Sequence, residues 1–241
     1  MAAAGSGQRL GAGGPKALVE LAGRPMVEWS IEALREADSI GEIVVVAPPG
    51  AAEHEHEFTG EDLFVVAGGG MRAESVRNGL ERVETELVAI HDAARPLLTP
   101  RLVEDVVAAL VADPGADGAI AAAPVSDTIK RATGQSTGSE GPRPPKRVDM
   151  TQFGGLVVEG TVDRAELWAA QTPQVFRVEA LRRALEADPD AAVAATDEAM
   201  AVEAAGGRVL IHPAPAENIK VTTPLDLRVA ELLLAERSSE R

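Results

Sequence analysis

The chain has 241 residues, 45% of them apolar, enough for one large α/β domain with a full core or for two small ones. Its formal net charge is −15 and it has no cysteine, which excludes a disulfide framework, a thiolate metal site and a broad electrostatic footprint for nucleic acid. No apolar run approaches membrane-spanning length and no secretory signal is evident, so a cytoplasmic protein with no membrane or nucleic-acid partner is expected. Aromatic residues make up only 2% of the chain and Tyr is absent, so the core must be built from Ala, Val, Leu and Ile.

The chain opens on a glycine-rich basic loop, Ala3-Ala4-Gly5-Ser6-Gly7-Gln8-Arg9-Leu10-Gly11-Ala12-Gly13-Gly14-Pro15-Lys16. Its glycines let backbone N–H groups approach an anion without Cβ hindrance. Arg9 and Lys16 add cations that could grip a triphosphate and stabilise charge at its α-phosphorus. The loop lacks the Gly-Lys-Ser/Thr ending of a Walker A motif and the third glycine of a dinucleotide fingerprint. Of the 23 basic residues 19 are Arg, so the four Lys positions (Lys16, Lys130, Lys146 and Lys220) are candidates for needing a compact ammonium.

Apolar runs then alternate with helical patterns. Strands are expected at Glu42 to Ala47, Leu63 to Val66, Leu87 to Ile90, Ala119 to Ala123 and Val209 to His212. Helices are expected where Val27, Ile31 and Leu34, then Val76, Leu80 and Val83, then Val103, Val106, Val107 and Leu110, and finally Leu225, Val229 and Leu232 repeat at helical spacing; Pro25 suits the first turn of the first one. The alternation predicts a Rossmann-like, mainly parallel sheet flanked by helices, in one domain over residues 1–241. Ligands of such sheets bind beyond the carboxyl ends of the strands. Thr133 to Pro145 is rich in Gly, Ser and Pro and reads as a loop tip between two β-capable segments. The region from about 126 to 164 is therefore expected to project as a β-arm and to pack on a partner.

Several polar knots sit next to the apolar runs. Gly68-Gly69-Gly70 precedes a helix that carries Arg72 and Ser75, a place where a flat base could lie close to the backbone. Asp92, in His91-Asp92-Ala93-Ala94-Arg95-Pro96, follows a strand and could hold a ribose hydroxyl or Mg²⁺ on a triphosphate. Further along, Thr128, Lys130, Arg164, Thr172, Thr196 and Lys220 supply hydroxyls and cations that could form a pocket for a small phosphorylated polyol. His54 and His56 alternate with Glu55 and Glu57 like a strand or a solvated loop, and His212 reads as structural.

In order and spacing these motifs resemble the 2-C-methyl-D-erythritol 4-phosphate cytidylyltransferase family. The likeness rests on Ala-Ala-Gly-Ser-Gly-x-Arg-Leu with Pro-Lys, Gly-Gly-x-x-Arg-x-x-Ser-Val, His-Asp-Ala-Ala-Arg-Pro, Asp-Thr-Ile-Lys, Val-Asp-Arg, Gln-Thr-Pro-Gln, Thr-Asp-Glu-Ala and Asn-Ile-Lys-Val-Thr. It implies transfer of a cytidylyl group from CTP to a polyol phosphate with Mg²⁺, by in-line attack and without a covalent intermediate. By resemblance, Arg9 and Lys16 stabilise the transition state, and Arg164 and Lys220 hold the methylerythritol phosphate. Thr128, Thr172 and Thr196 line that pocket, while Ala3, Ala4, Gly5, Gly69, Gly70 and Ser75 cradle cytosine and ribose. Asp92 serves the ribose or the metal. The resemblance further implies a homodimer of interlocking arms, in which Thr128 and Arg164 complete the neighbour's site.

The chain departs from the family pattern in three places. Its arm is longer, Gly70 stands where a polar residue is common, and only Met1 and Ala2 precede Ala-Ala-Gly where the family has an apolar first strand. That strand is expected to be truncated, with the natural start upstream, a gap in the sheet and a poorly anchored loop. Alternatives are a cytidylyltransferase for another polyol phosphate such as ribitol 5-phosphate, a sugar-1-phosphate nucleotidyltransferase, which the Thr-Pro-Gln and Asn-Ile-Lys knots disfavour, and an inactive nucleotide-binding or dimerisation module.

Overall fold

The computed structural model describes residues 1–5, 14–48, 60–134, 156–187 and 194–240. Arg9, the His54–Glu57 run and most of the Gly/Ser/Pro-rich arm tip lie outside them. After a 3-10 turn at Lys16–Leu18 comes a small hairpin, β1 (Glu20–Leu21) and β2 (Arg24–Pro25). Its two-residue turn has positive φ at both Ala22 and Gly23, the backbone that matches strand twist. The main elements follow: α1 (Met26–Arg35), β3 (Ile43–Ala47), β4 (Leu63–Ala67), α2 (Arg72–Leu80), β5 (Leu87–Ile90), α3 (Pro100–Val111) and β6 (Gly118–Pro124). Helix α3 shows why these segments start where they do. Thr99 accepts the Leu102 N–H as N-cap and Pro100 takes the first helical position. The arm region carries β7 (Lys130–Gly134) and β8 (Leu156–Thr161). Then come β9 (Trp168–Arg177), α4 (Val178–Ala187), α5 (Glu198–Ala204), β10 (Val209–Pro213) and α6 (Pro224–Glu240).

Two compact units result, one formed by Met1–Ala123 with Ala170–Arg241 and the other by Pro124–Ala169. In the first, β3 and β4 pair in parallel, Ile43 opposite Leu63 and Ala47 opposite Ala67. A four-stranded sheet runs in the order β10-β6-β9-β5. Strands β10 and β6 are parallel there, while β5 and β9 are antiparallel, with Ile90 opposite Gln174. The sheet is therefore mixed, because the long strand β9 returns against β5.

Residues Met1–Ala3 join the two sheets. Ala2 pairs in parallel with both Val46 and Asp92. The Ala2 N–H donates to His91 at 2.8 Å, and the Ala3 and Val46 N–H groups donate to Val46 and Met1 carbonyls, each at 2.9 Å. The expected gap is thus corrected: three residues hydrogen-bond on both sides and close the middle of the sheet.

Side chains alternate across this sheet and seed a core on each face. Ala119, Ala121 and Val175 pack with Val27, Ile31 and Leu34 of α1 and Val103, Val106 and Leu110 of α3. Ile120 and Phe176 face the other way, onto Val76, Leu80, Leu181, Leu185 and Val202 of α2, α4 and α5. Each fully buried Val, Leu or Phe contributes about 1.5–3 kcal/mol, so these two layers dominate the stability of the unit. A third cluster unites Leu21 and Met26 with Ala94, Leu97 and Val221 and with Ala230 and Leu234 of α6.

That last contact corrects one expected helix face. Leu225, Val229 and Leu232 are exposed, and α6 buries Ala230 and Leu234 instead. The helix carries apolar residues all round, so spacing alone could not select the face that packs.

In the second unit β7 and β8 form an antiparallel ribbon with a register shift between Arg131 and Ala132. Asp163 caps a 3-10 turn at Arg164–Glu166. The Arg164 guanidinium donates to the Ser126 carbonyl, and Lys130 Nζ donates to Thr161 Oγ1 at 2.7 Å.

Candidate active site

The carboxyl ends of β3, β4 and β5 and the residues after Ala2 come together in the first unit. Beyond β4 the chain turns through Gly68, Gly69 and Gly70 into α2. Gly68 donates to the Ala47 carbonyl at 2.7 Å. Gly69 donates to Ser75 Oγ at 3.1 Å, and that hydroxyl donates onward to the Met71 carbonyl. Buried Ser75 thus pins the turn from the first turns of α2. A Cβ on Gly68 would lie 2.9 Å from the Ala47 carbonyl, 3.0 Å from Ser75 Oγ and 3.1 Å from the Ala4 Cβ, and a Cβ on Gly69 would sit 2.4 Å from the Glu74 Cβ. The first glycine therefore lets the Ala3-Ala4-Gly5 segment lie against the turn. On the other side, the Lys16 N–H donates to the Gly5 carbonyl at 3.0 Å and anchors the base of the opening loop. Gly68→Ala should cost about 1–3 kcal/mol of stability through overpacking. Thermal denaturation checks this, and an unchanged melting temperature would refute the close approach.

Next to this turn lies a row of four alternating charges. Arg72, which opens α2, donates from Nε and Nη2 to both oxygens of Glu198, at 2.9 and 2.8 Å. Its Nη1 donates to Asp92 Oδ1 at 2.9 Å. Lys220 Nζ donates to the other oxygen, Asp92 Oδ2, at 2.6 Å. Glu198 and Asp92 are only 3% and 6% exposed, whereas the Lys220 side chain is 42% exposed. Burial by itself pushes the Asp92 carboxyl up, but Arg72 and Lys220 outweigh it and hold it well below the usual carboxylate range. Burial likewise opposes the Arg72 charge, and Glu198 with Asp92 more than compensates, raising its pKa. The site therefore keeps Asp92 ionised and Arg72 charged at neutral pH.

Beneath the row a polar layer, hydrogen-bonded except at the buried Arg95 Nε and Asn218 Oδ1, fixes its backbone. The Asp92 N–H donates to Thr172 Oγ1 at 3.1 Å, and Thr172 Oγ1 lies 3.0 Å from His91 Nδ1. His91 Nε2 lies 3.2 Å from the Arg95 carbonyl, which can only accept. The proton is thus on Nε2, Nδ1 accepts from the threonine, and the ring is neutral. Burial is the main reason its pKa falls to about 4. Arg95 ties the layer together, donating to the Asn218 carbonyl at 2.7 Å and the Ala170 carbonyl at 3.3 Å. Asn218 Nδ2 in turn donates to Gln171 Oε1 and to the Thr172 carbonyl, at 2.8 and 2.9 Å. Gln174 reaches from β9 to Asp197 Oδ2 at 2.9 Å and accepts the Ala199 N–H. Asp197 also caps α5 by accepting the Met200 N–H.

The structure thus brings Ala3, Ala4, Gly5, Lys16, Gly69, Gly70, Arg72, Ser75 and Asp92 into one neighbourhood, with Lys220 bonded to Asp92. Thr172 is 4% exposed, and its hydroxyl is committed to His91 and Asp92. Thr196 is exposed just before α5. Thr128 and Arg164 belong to the second unit, and Arg9 lies outside the described residues. Sequence reasoning missed Glu198, His91, Gln174 and Asn218. All four stand inside motifs it had singled out, but the neighbouring Thr, Asp or Lys drew the attention. The available signal was density: polar residues packed into apolar surroundings need partners, and these four find them in Arg72, Arg95, Thr172, Gln171 and Asp197.

Known proteins resemble the chain over nearly its whole length. The family profile of 2-C-methyl-D-erythritol 4-phosphate cytidylyltransferase (IspD) matches residues 1–141 and 145–236. The chain is 41% identical over 242 residues to the enzyme of that name from Prochlorococcus marinus, covering 98% of this chain and 97% of the relative. It is 42% identical to a bifunctional IspD/IspF enzyme from Anaeromyxobacter dehalogenans, covering 97% of this chain and 56% of that longer protein. Among solved structures, the 2-C-methyl-D-erythritol 4-phosphate cytidylyltransferase of Thermus thermophilus superposes with a TM-score of 0.72 at 29% identity, over 97% of each chain. With the α/β fold, the ordered motifs and the profile match all agreeing along its length, this chain belongs to the 2-C-methyl-D-erythritol 4-phosphate cytidylyltransferase family.

Proposed function

We propose that this chain transfers a cytidylyl group from CTP to 2-C-methyl-D-erythritol 4-phosphate, forming the CDP-alcohol and pyrophosphate for isoprenoid precursor synthesis. The observation that carries the reading is the ionised Asp92 embraced by Arg72 and Lys220 beside the Ala3–Gly5 segment and the glycine turn. A phosphate oxygen of the polyol attacks the α-phosphorus of CTP in line. The bond from that phosphorus to the β-bridging oxygen breaks, and pyrophosphate leaves with the electron pair. No protein nucleophile is required, and His91, with both ring nitrogens engaged, is not a free base. Catalysis is then positioning and charge stabilisation.

In this reading Ala3, Ala4, Gly5, Gly69, Gly70 and Ser75 receive the base and ribose. Arg9 and Lys16 meet the triphosphate, Lys220 holds the acceptor phosphate together with an Arg164 supplied by a neighbouring copy, and Thr172 and Thr196, with the neighbouring copy's Thr128, belong to the acceptor side. Among the described residues no group of three or more His, Cys, Asp or Glu side chains is gathered for a metal. A single carboxylate such as Asp92 fits a Mg²⁺ that arrives on the triphosphate and takes most of its ligands from phosphate and water. Asp92 would hold it, and its chemistry there would be to neutralise charge on the phosphates.

A homodimer is part of the same proposal. Leu156, Val157 and Val158 of β8 are each more than half exposed, at 54%, 52% and 58%, and an isolated two-stranded ribbon is marginal in water. Val158→Asp should halve the mass seen by light scattering, whereas a wild-type protein already monomeric at micromolar concentration would contradict the dimer. Among the described residues no helix is long and apolar enough to cross a membrane, and the proposed setting is the cytoplasm.

Pyrophosphate release from CTP, measured with methylerythritol phosphate and with ribitol 5-phosphate, tests the reaction. Turnover with the first alone supports it, turnover with the second alone moves the acceptor, and none with either leaves a binding module.

A further inference from the structure

Glu198 has no place in the reading above, yet it is among the most enclosed charges of the molecule. Its side chain is 4% exposed, and both its oxygens are taken by Arg72. A guanidinium offers its N–H donors along fixed edges. Here the side edge, Nε–H with one N–H of Nη2, is spent on Glu198, which holds the guanidinium so that Nη1 alone reaches Asp92, at Oδ1. Oδ2 is left to Lys220. Without the Glu198 charge, the favoured alternative for Arg72 is the bidentate arrangement on Asp92 itself, which would cover both oxygens. The half-exposed Lys220, on a flexible four-carbon stem, would then be displaced.

We propose that Glu198 is a positioning residue for Lys220, acting through Arg72 and Asp92: by occupying one edge of Arg72 it reserves Asp92 Oδ2 for the Lys220 ammonium. Its role in turnover rests on the function proposed above, but the side-chain arrangement does not.

Two measurements on the full chain test it. The first reads Lys220 directly, by the rate at which acetic anhydride acylates each of the four lysines, resolved by peptide mass spectrometry. Glu198→Gln should speed labelling of Lys220 about threefold or more, as the ammonium leaves its carboxylate, with Lys130 unchanged as the internal control. Glu198→Asp, which keeps the charge at shorter reach, should give an intermediate rate and serves as the informative variant if the glutamine form does not fold. Unchanged labelling of Lys220 in the folded variants would overturn the proposal whatever the enzyme's substrate.

The second measurement is kinetic. Glu198→Gln should raise KM for the polyol phosphate and lower kcat, each about tenfold, while KM for CTP moves less than about threefold. In a Lys220→Met background the same change should cost less than about twofold more, because its target is already gone. Losses that instead multiply would mean that Glu198 acts independently of Lys220, and would reject the inference. A wild-type protein inactive with every polyol phosphate would remove the proposed function, while altered Lys220 labelling would still support the positioning role.

Discussion

Asp92→Asn is expected to lower kcat/KM by about 10²- to 10³-fold while leaving the protein folded, the range found when one preorganised charge is removed from a reaction centre. Three consequences of the carboxylate vanish together. Lys220 loses the acceptor that places its ammonium, Arg72 loses the anion that shares its charge with Glu198, and the proposed ligand for ribose or metal becomes neutral. The fold should survive, because the Asp92 N–H still donates to Thr172 and Arg72 still has both oxygens of Glu198. Asparagine keeps an amide oxygen that can accept from Arg72, so the bond lost outright is the one to Lys220, at about 1.5–3 kcal/mol, visible as a lower melting temperature but not as unfolding at 25 °C. Steady-state kinetics with both substrates varied, alongside thermal denaturation, separates the two effects. A folded Asp92→Asn protein with wild-type kcat/KM would remove Asp92 from the reaction.

Acid should destabilise the protein through His91. The ring is buried and held neutral by the Thr172 and Arg95 contacts, with its pKa lowered from 6.5 to about 4. Between those two values the unfolded chain binds a proton at His91 and the folded chain does not. The contribution is therefore fully present above pH 6.5, falls as the pH drops, and levels off near the folded value of about 4. The total loss over that window is on the order of 3 kcal/mol. Urea denaturation at intervals from pH 7 to pH 4 measures it. His91→Gln should flatten that part of the profile relative to wild type, even though it lowers stability at neutral pH by opening the contacts to Thr172 and Arg95. Parallel profiles for the two proteins would show that His91 is not the group responsible.

Most of the scaffold was legible in the chain because it depends on local signals. The strands at Ile43–Ala47, Leu63–Ala67 and Leu87–Ile90 are short apolar runs between turns, and α1 and α3 carry their buried residues at helical spacing. Strand β9 was hidden, because Gln171, Thr172 and Gln174 interrupt its apolar pattern. Those residues are buried as partners of His91, Asn218 and Asp197, so they obey hydrogen-bond satisfaction rather than binary patterning. Helix α6 failed for the opposite reason, offering more apolar surface than one face can bury.

By itself the sequence determined the family, through short motifs whose residue types and order are specific, and it determined which segments carry charge and hydroxyls. It could not determine which charges meet. Residues 72, 92, 198 and 220 are far apart in the chain, and only the convergence of α2, β5, α5 and the segment after β10 makes them one row. Ion pairing and burial fall off within a few ångströms, so partner choice belongs to the tertiary fold. The fold alone assigns Arg72 to Glu198 and Asp92, and closes the central position of the sheet with Met1–Ala3.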